Sequence, residues 1–215
     1  MIKHWFRKKI KLSYGITVCN EAVELERLIL FLLLHKDRQD EIIVLQDVTS
    51  TDRWVNDVLN AYRRDVLIRT ELLNNDFAGF KNKLIDVATG DYMFQIDADE
   101  MPAVDLIRKV KPVLVKQRDA DCVAVPRINF VKGITPALVD QWNWKLDDKD
   151  RINFPDYQLR IFRLNQSIHW RNKVHEELAG FKNCYYLPDD ADDFCLIHVK
   201  DVDRQQRQND FYGSI

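Results

Sequence analysis

The sequence is poor in cysteine: four in 215 residues, Cys19, Cys122, Cys184 and Cys195, with no two at CxxC spacing. That excludes a disulfide scaffold and makes a reducing compartment the default. A surplus of either charge is also missing. Lys and Arg total 32 against 34 Asp and Glu, a net charge of −2. Dedicated duplex-binding proteins usually carry a basic excess, so nucleic acid is not an expected partner. Long apolar runs are absent. The longest is the seven residues Leu28 to Leu34, far below the ~20 of a transmembrane helix. The opening MIKHWFRKKIKL is basic but lacks the apolar stretch of a signal peptide. A cytoplasmic protein is therefore expected. Lys3, Arg7, Lys8, Lys9 and Lys11 around Trp5 and Phe6 form either a solvated lead-in to the first strand or a peripheral membrane-surface contact. No repeat, low-complexity tract or Gly/Ser/Pro linker divides the chain, which reads as one domain over 1–215. Apolar residues at 46% and aromatics at 11% provide for a sizeable core.

The first half alternates two periods. Leu12, Tyr14, Ile16 and Val18 alternate as a strand does, and Leu25, Leu28, Ile29, Leu32 and Leu33 follow at helical spacing, with Asn20 as the expected cap. Glu41 to Leu45 and Val66 to Arg69 read as strands. Ser50, Thr51 and Asp52 offer a cap to a helix striped by Val55, Val58, Leu59 and Tyr62. A third helix over Phe80 to Ala88 is expected to stop at Gly90. Tyr92 to Ile96 is a strand, and Leu106, Val110, Val113 and Leu114 mark another helix. Such alternation predicts an α/β fold with a mostly parallel sheet and ligands at the carboxyl ends of its strands. Past about residue 120 the pattern becomes irregular. Strands are expected at Cys122 to Val131 and Tyr157 to Leu164, with a loop from Gln141 to Asp156.

The polar clusters fall at the predicted strand ends: Asn20-Glu21, Asp47 with Ser50 to Asp52, and Asp97-Ala-Asp-Glu100. In extended chain Asp97 and Asp99 share a face and reach one hard cation, the way a few carboxylates and substrate phosphates hold Mg²⁺ or Mn²⁺. A bare Asp-x-Asp is also common as a solvated turn. Order and spacing add to it. A strand ends at Asn20-Glu21, a second at Asp47-Val-Thr-Ser-Thr-Asp52, a helix carries Lys81-Asn82, and Ala88-Thr-Gly-Asp-Tyr leads through a strand into Asp97-Ala-Asp99. Over residues 12–101 this resembles the inverting family 2 glycosyltransferases of the GT-A type. Val48 and Thr49 stand where the family usually has Asp and Gly.

The resemblance implies a GT-A fold, with residues 1–101 as the nucleotide-sugar half and 102–215 as the acceptor half. It implies a nucleotide-diphosphate sugar donor, UDP-sugar first among them, and a glycan, lipid-linked or protein acceptor. Asp47 would read the base, with Thr17, Asn20, Glu21, Lys81 and Asp97 as further donor contacts. Asp97, Asp99 and His198 would hold Mn²⁺ or Mg²⁺. Glu176, in Lys-Val-His-Glu, would be the catalytic base, with Asp156 in reserve. Arg160 and Arg163 either meet the diphosphate or pair with acids. Trp142, Trp144 and Trp170 either stack on sugars or fill the core. Three other readings remain: a non-catalytic sugar-binding module, a nucleotidyltransferase, for which Gly15 alone makes no phosphate loop, and a haloacid-dehalogenase-type phosphatase, whose Asp-x-Asp normally follows the first strand.

Overall fold

The structure, a computed structural model, describes residues 9–50 and 52–213. The basic segment from Lys3 to Lys8 lies outside the described residues. No described helix is long and apolar enough to cross a membrane.

Strand β1 (Leu12–Val18) runs through the middle of the molecule and is buried on both faces. Its Leu12, Tyr14 and Ile16 pack in one cluster with Leu25, Leu28, Ile29 and Leu32, the inner stripe of α1 (Ala22–His35). Asn20 does not cap this helix. Glu21 takes the cap position, and its carboxylate turns back to accept from the backbone N–H groups of Cys19 and Asn20 at 2.9 and 3.0 Å. Strand β2 (Glu41–Asp47) leads into α2 (Arg53–Tyr62), capped by Asp52, which accepts from the Val55 N–H at 2.9 Å. Strand β3 (Leu67–Glu71) is a mostly exposed edge. Helix α3 (Phe77–Val87) is capped by Asp76 and ends at Ala88. Gly90 serves another purpose than stopping it. A Cβ there would lie 2.8 Å from the Ser13 nitrogen and 2.9 Å from the Lys11 oxygen, so glycine lets the chain pass the start of β1 on its way into β4 (Tyr92–Asp97).

The remaining elements are β5 (Glu100–Pro102), α4 (Val104–Lys116), β6 (Cys122–Lys132), α5 (Pro136–Gln141), β7 (Ile152–Arg163), β8 (His169–Arg171), β9 (Glu177–Ala179), β10 (Cys184–Tyr186), β11 (Leu196–Asp201) and α6 (Val202–Gly213). The expected loop from Gln141 to Asp156 is shorter than the sequence implied, because β7 already begins at Ile152.

One sheet holds nine strands in the order β3-β2-β1-β4-β7-β6-β11-β5, with β10 also on β6. The first four are parallel. Strand β7 then runs antiparallel to both β4 and β6, and β11 runs parallel to β6. The chain winds outward from β1 to β3, then returns to place β4 on β1's other side. The crevice above the carboxyl ends of β1 and β4 is thus the topological switch point, where such sheets take ligands. Thr17 and Asp97 pair there in the strand register.

The α1 stripe anchors this half. Leu28 is fully buried, whereas Leu34 on the same helix is 77% exposed. Leu28→Ala should lower stability by about 2–5 kcal/mol through lost burial and a residual cavity, while Leu34→Ala should change it by no more than about 0.5 kcal/mol. Urea unfolding of the two variants checks the difference.

Candidate active site

A cleft of about 860 Å³ opens at the switch point. Thr17, Asn20, Glu21, Asp47, Lys81, Asp97, Asp99, Glu176 and His198 all line it. Asp156 does not.

Asp47 ends β2 and is 7% exposed. Its Oδ1 accepts from the backbone N–H groups of Thr49 and Leu73, at 2.8 and 3.2 Å. The turn that lacks the family's Gly is therefore closed by Asp47 itself. Cys19 beside it is pushed up to about 11, first by burial and then by the Asp47 charge, so its thiol stays protonated at neutral pH.

Asp97 and Asp99 do not share a face. The Ala98 N–H makes the last β1–β4 ladder bond, to the Thr17 carbonyl at 3.0 Å, and the chain then turns over Ala98 and Asp99 toward β5. The two carboxylates consequently meet different partners. Asp97 accepts from the Thr17 hydroxyl at 2.8 Å and from Arg160 Nη2 at 2.6 Å. Burial alone would raise its pKa, but Arg160, then Lys81 and the Thr17 hydroxyl outweigh it and hold the carboxyl well below the usual range. Arg160 is 3% exposed and also donates to Glu100 at 2.6 Å. Of its two expected roles it therefore takes the structural one. Arg163 pairs with Asp121 at 3.6 Å. A nucleophilic Asp97 of the phosphatase kind fits poorly, since both of its oxygens are engaged.

Asp99 faces β11. Its Oδ2 lies 3.1 Å from His198 Nε2 and 3.0 Å from Arg204 Nη2. Register accounts for the imidazole: His198 stands opposite Glu100 on one side and Asn129 on the other. Asn129 donates its amide N–H to Asp156 at 2.8 Å, so its oxygen faces His198 Nδ1 at 3.0 Å and must accept from it. Nε2 is then the ring nitrogen that faces the carboxylate oxygen. A proton or a cation resolves that contact. Burial opposes ionisation of Asp99, yet the His198 hydrogen bond and charge prevail and its pKa is lowered.

These donors fit a divalent ion in part. Adjacent ligands of an octahedral ion with bonds of about 2.1 Å stand about 3.0 Å apart, close to the Asp99–His198 separation. The Asn129 bond fixes the tautomer that leaves Nε2 free to ligate. Asp97 is not with them, and no group of three His, Cys, Asp or Glu side chains is gathered for a metal among the described residues. The expected triad is thus a pair, which substrate phosphates would have to complete.

Across the cleft, Glu176 accepts from Lys81 Nζ at 2.6 Å. Lys81 also stands 4.8 Å above the Trp170 ring, so it serves the carboxylate rather than remaining a free contact. Glu176 ends the five-residue loop between β8 and β9, in which Asn172 and His175 adopt φ of 70° and 53°. Asn82 ties this hairpin to α3. Its amide donates to the Trp170 carbonyl at 2.9 Å and accepts from the Trp170 N–H at 2.8 Å. Trp170 is 7% exposed and donates its indole N–H to Gln95, which makes it a core residue. Trp142 and Trp144 pack on each other at 4.7 Å and do not line the cleft.

Asp156 is held by Arg127 at 2.6 Å, by Asn129 and by Gln158. Its burial is outweighed by Arg127 and these bonds, which lower its pKa. It is a network member rather than a reserve base. In the acidic stretch Asp189-Asp-Ala-Asp-Asp193 before β11, Asp192 pairs with Arg151 and Asp193 with Lys109, both near the surface.

Arg127 and Arg204 had no signal in the sequence. Arg204, on α6, also reaches Glu21 at 2.8 Å, 183 positions away. Only the strand register and the return of α6 over the cleft bring these groups in. Lys200, two residues past His198, is pushed down to about 8, first by burial, against the pull of Asp99.

Known proteins agree with this architecture. The family model for glycosyl transferase family 2 matches residues 13–202. The chain belongs to that family. It is similar to the SPbeta prophage-derived glycosyltransferase SunS of Bacillus subtilis strain 168, with 32% identity over 174 residues. The same figures hold for the glycosyltransferase SunS of Bacillus phage SPbeta. The match covers 80% of this chain and 36% of those relatives, so the chain spans about a third of their length. Among solved structures, S. aureus TarS 1-349 in complex with UDP-GlcNAc has a TM-score of 0.60 at 14% identity, over 89% of this chain and 59% of that one. At that identity the likeness is one of fold.

The buried pairing at Arg160 yields a test. Arg160→Leu removes the direct ion-pair partner of Asp97 and leaves Glu100 with Arg127 alone, and should cost about 3–5 kcal/mol at pH 7. A lowered native pKa stabilises above the unfolded value of about 3.9, and that contribution is lost as pH falls through the acid range. The variant, which keeps only Lys81 and the Thr17 hydroxyl beside Asp97, has less of that contribution to lose. Urea unfolding at pH 7 and at pH 4 should therefore show the gap between the two proteins narrowing on acidification.

Proposed function

We propose that this chain is a catalytic domain that transfers a sugar from a nucleotide-diphosphate sugar, a UDP-sugar first among candidates, to an acceptor hydroxyl with inversion, assisted by Mn²⁺ or Mg²⁺. The observation that carries the reading is the Asp99–His198 pair, locked by Asn129, facing a cleft whose other wall presents Glu176. Support for the donor comes from the shared fold with TarS, a protein solved with UDP-GlcNAc and with UDP.

The base of the nucleotide would lie over Asp47 at the end of β2. Thr17 and Arg160 fix Asp97 beneath the sugar-phosphate. Asp99 and His198 would hold the divalent ion, which when bound neutralises the charge gathering on the leaving diphosphate. Glu176, oriented by Lys81, takes the proton from the attacking hydroxyl. With one carboxylate base and no covalent intermediate, attack comes from the face opposite the diphosphate and inverts the anomeric centre.

A donor screen with Mn²⁺, read as nucleoside diphosphate release by mass spectrometry, is the direct test. Turnover should vanish in excess EDTA and fall on the order of a hundredfold or more in Asp99→Asn. Glu176→Gln should bind UDP as the wild type does, yet lose roughly 10²–10⁴ in transfer. Full activity with EDTA would remove the metal from the reading. A fully active Glu176→Gln would remove the base.

A further inference from the structure

Arg204 stands out because its guanidinium occupies the place a bound cation would neutralise. It lies 28% exposed on α6, yet it reaches over the cleft to two carboxylates on different elements. Its Nη2 is 2.8 Å from Glu21 Oε1, at the entry to α1, and 3.0 Å from Asp99 Oδ2, in the turn after β4. Its Nη1 is 4.0 Å from Glu24. The Asp99 oxygen it touches is the same one that faces His198 Nε2. That oxygen is where a divalent ion would bind, and the Arg204 guanidinium already stands against it.

We propose that Arg204 is a built-in competitor for the divalent ion: without donor it latches α6 across the cleft through Glu21 and Asp99, and an arriving ion must displace it from Asp99. This rests on the metal reading above and adds a gate to it. The latch closes where the nucleotide would enter, because Glu21, Asp99 and Arg204 all line the same cleft. Free ion alone then binds weakly, since only the fraction of molecules with Asp99 released is competent. Linkage makes the effect reciprocal: whatever holds the guanidinium elsewhere raises the affinity for the ion. A donor diphosphate carries both the charge to hold the guanidinium and the oxygens to complete the ion's shell, so ion and nucleotide are expected to enter together. Arg204 is thus a positioning residue rather than a proton donor or acceptor.

The experiment is Mn²⁺ binding to the 215-residue chain, read by electron paramagnetic resonance without turnover, in the presence and absence of UDP. Circular dichroism confirms that each variant is folded. In the absence of nucleotide, Arg204→Met should bind Mn²⁺ roughly tenfold more tightly than wild type, and Arg204→Lys should lie between them. With UDP present the advantage should disappear. Glu21→Gln separates a latch from simple loss of charge. Gln keeps an acceptor oxygen for the Cys19 and Asn20 N–H groups but releases the Arg204 anchor. Through-space electrostatics demands weaker Mn²⁺ binding after removal of a carboxylate, whereas the latch demands tighter binding. Unchanged or weaker affinity in either Arg204→Met or Glu21→Gln overturns the latch while leaving the metal site intact. Wild-type protein that takes up no Mn²⁺ even with UDP overturns the metal site itself, and the latch with it.

Discussion

The guanidinium of Arg160 is the constraint on which the site depends. Two differently built half-sheets meet at β4 and β7, and their ladder runs only from Tyr92 opposite Arg163 to Phe94 opposite Ile161. Above that row no paired residues join the strands. Arg160 carries the seam further by side chain, reaching Asp97 at the tip of β4 and Glu100 at the start of β5. Glu100 is 1% exposed and accepts from the Asp97 backbone N–H through its other oxygen, at 3.1 Å. One buried cation therefore fixes both the carboxylate of Asp97 and the path of the turn that presents Asp99. Buried pairs of this kind add little net stability but are costly to break. Here the pair sets the geometry at the switch point.

The same turn closes a ring of polar contacts. From Glu100 it passes to Arg127 at 2.9 Å, from Arg127 to Asp156, from Asp156 to Asn129, from Asn129 to His198 and from His198 back to Asp99. Every member except the Asp99–His198 contact has a defined donor and acceptor. In a largely buried setting such a network holds its members in one arrangement, because a lost partner leaves a desolvated group behind. The one link whose donor is not set by its neighbours is the contact of the His198 imidazole with the Asp99 carboxylate. Ligand chemistry can act at that link without disturbing the rest.

The sequence made the parallel half legible because its strands and helices carry clean periods. Leu25, Leu28, Ile29 and Leu32 could face only inward, and the runs of β2 and β4 could lie only in a covered sheet. The clustering of Asn20, Asp47 and Asp97 at strand ends then followed from topology. What stayed hidden was side-chain partnership. Asp156 resembles a free acid in sequence, but the β6–β7 register sets it opposite Arg127. The extended geometry assumed for Asp97-Ala-Asp99 failed because the chain turns over Ala98 and Asp99, just past the last β1–β4 ladder bond. Arg204 had nothing to distinguish it from any other arginine on a polar helix, since its partners lie on α1 and on the β4–β5 turn. Distances of this kind are set by register and helix return, neither of which has a local signature.

The two walls of the cleft are held by different means, and that division bears on how the chemistry is arranged. Asp99 and His198 are fixed by strand register and by the polar ring. Glu176 comes from a short hairpin whose connecting loop places Asn172 and His175 at positive φ. Asn and His enter that region more readily than most residues but still at a cost. The tethers that offset it run to α3: Asn82 to the Trp170 backbone, Lys81 to Glu176, and the Phe77 N–H to the Lys173 carbonyl at 2.9 Å. Helix α3 belongs to the parallel half, beside the strands that end at the cleft. The carboxylate that would meet the acceptor is therefore positioned by the half that would hold the donor.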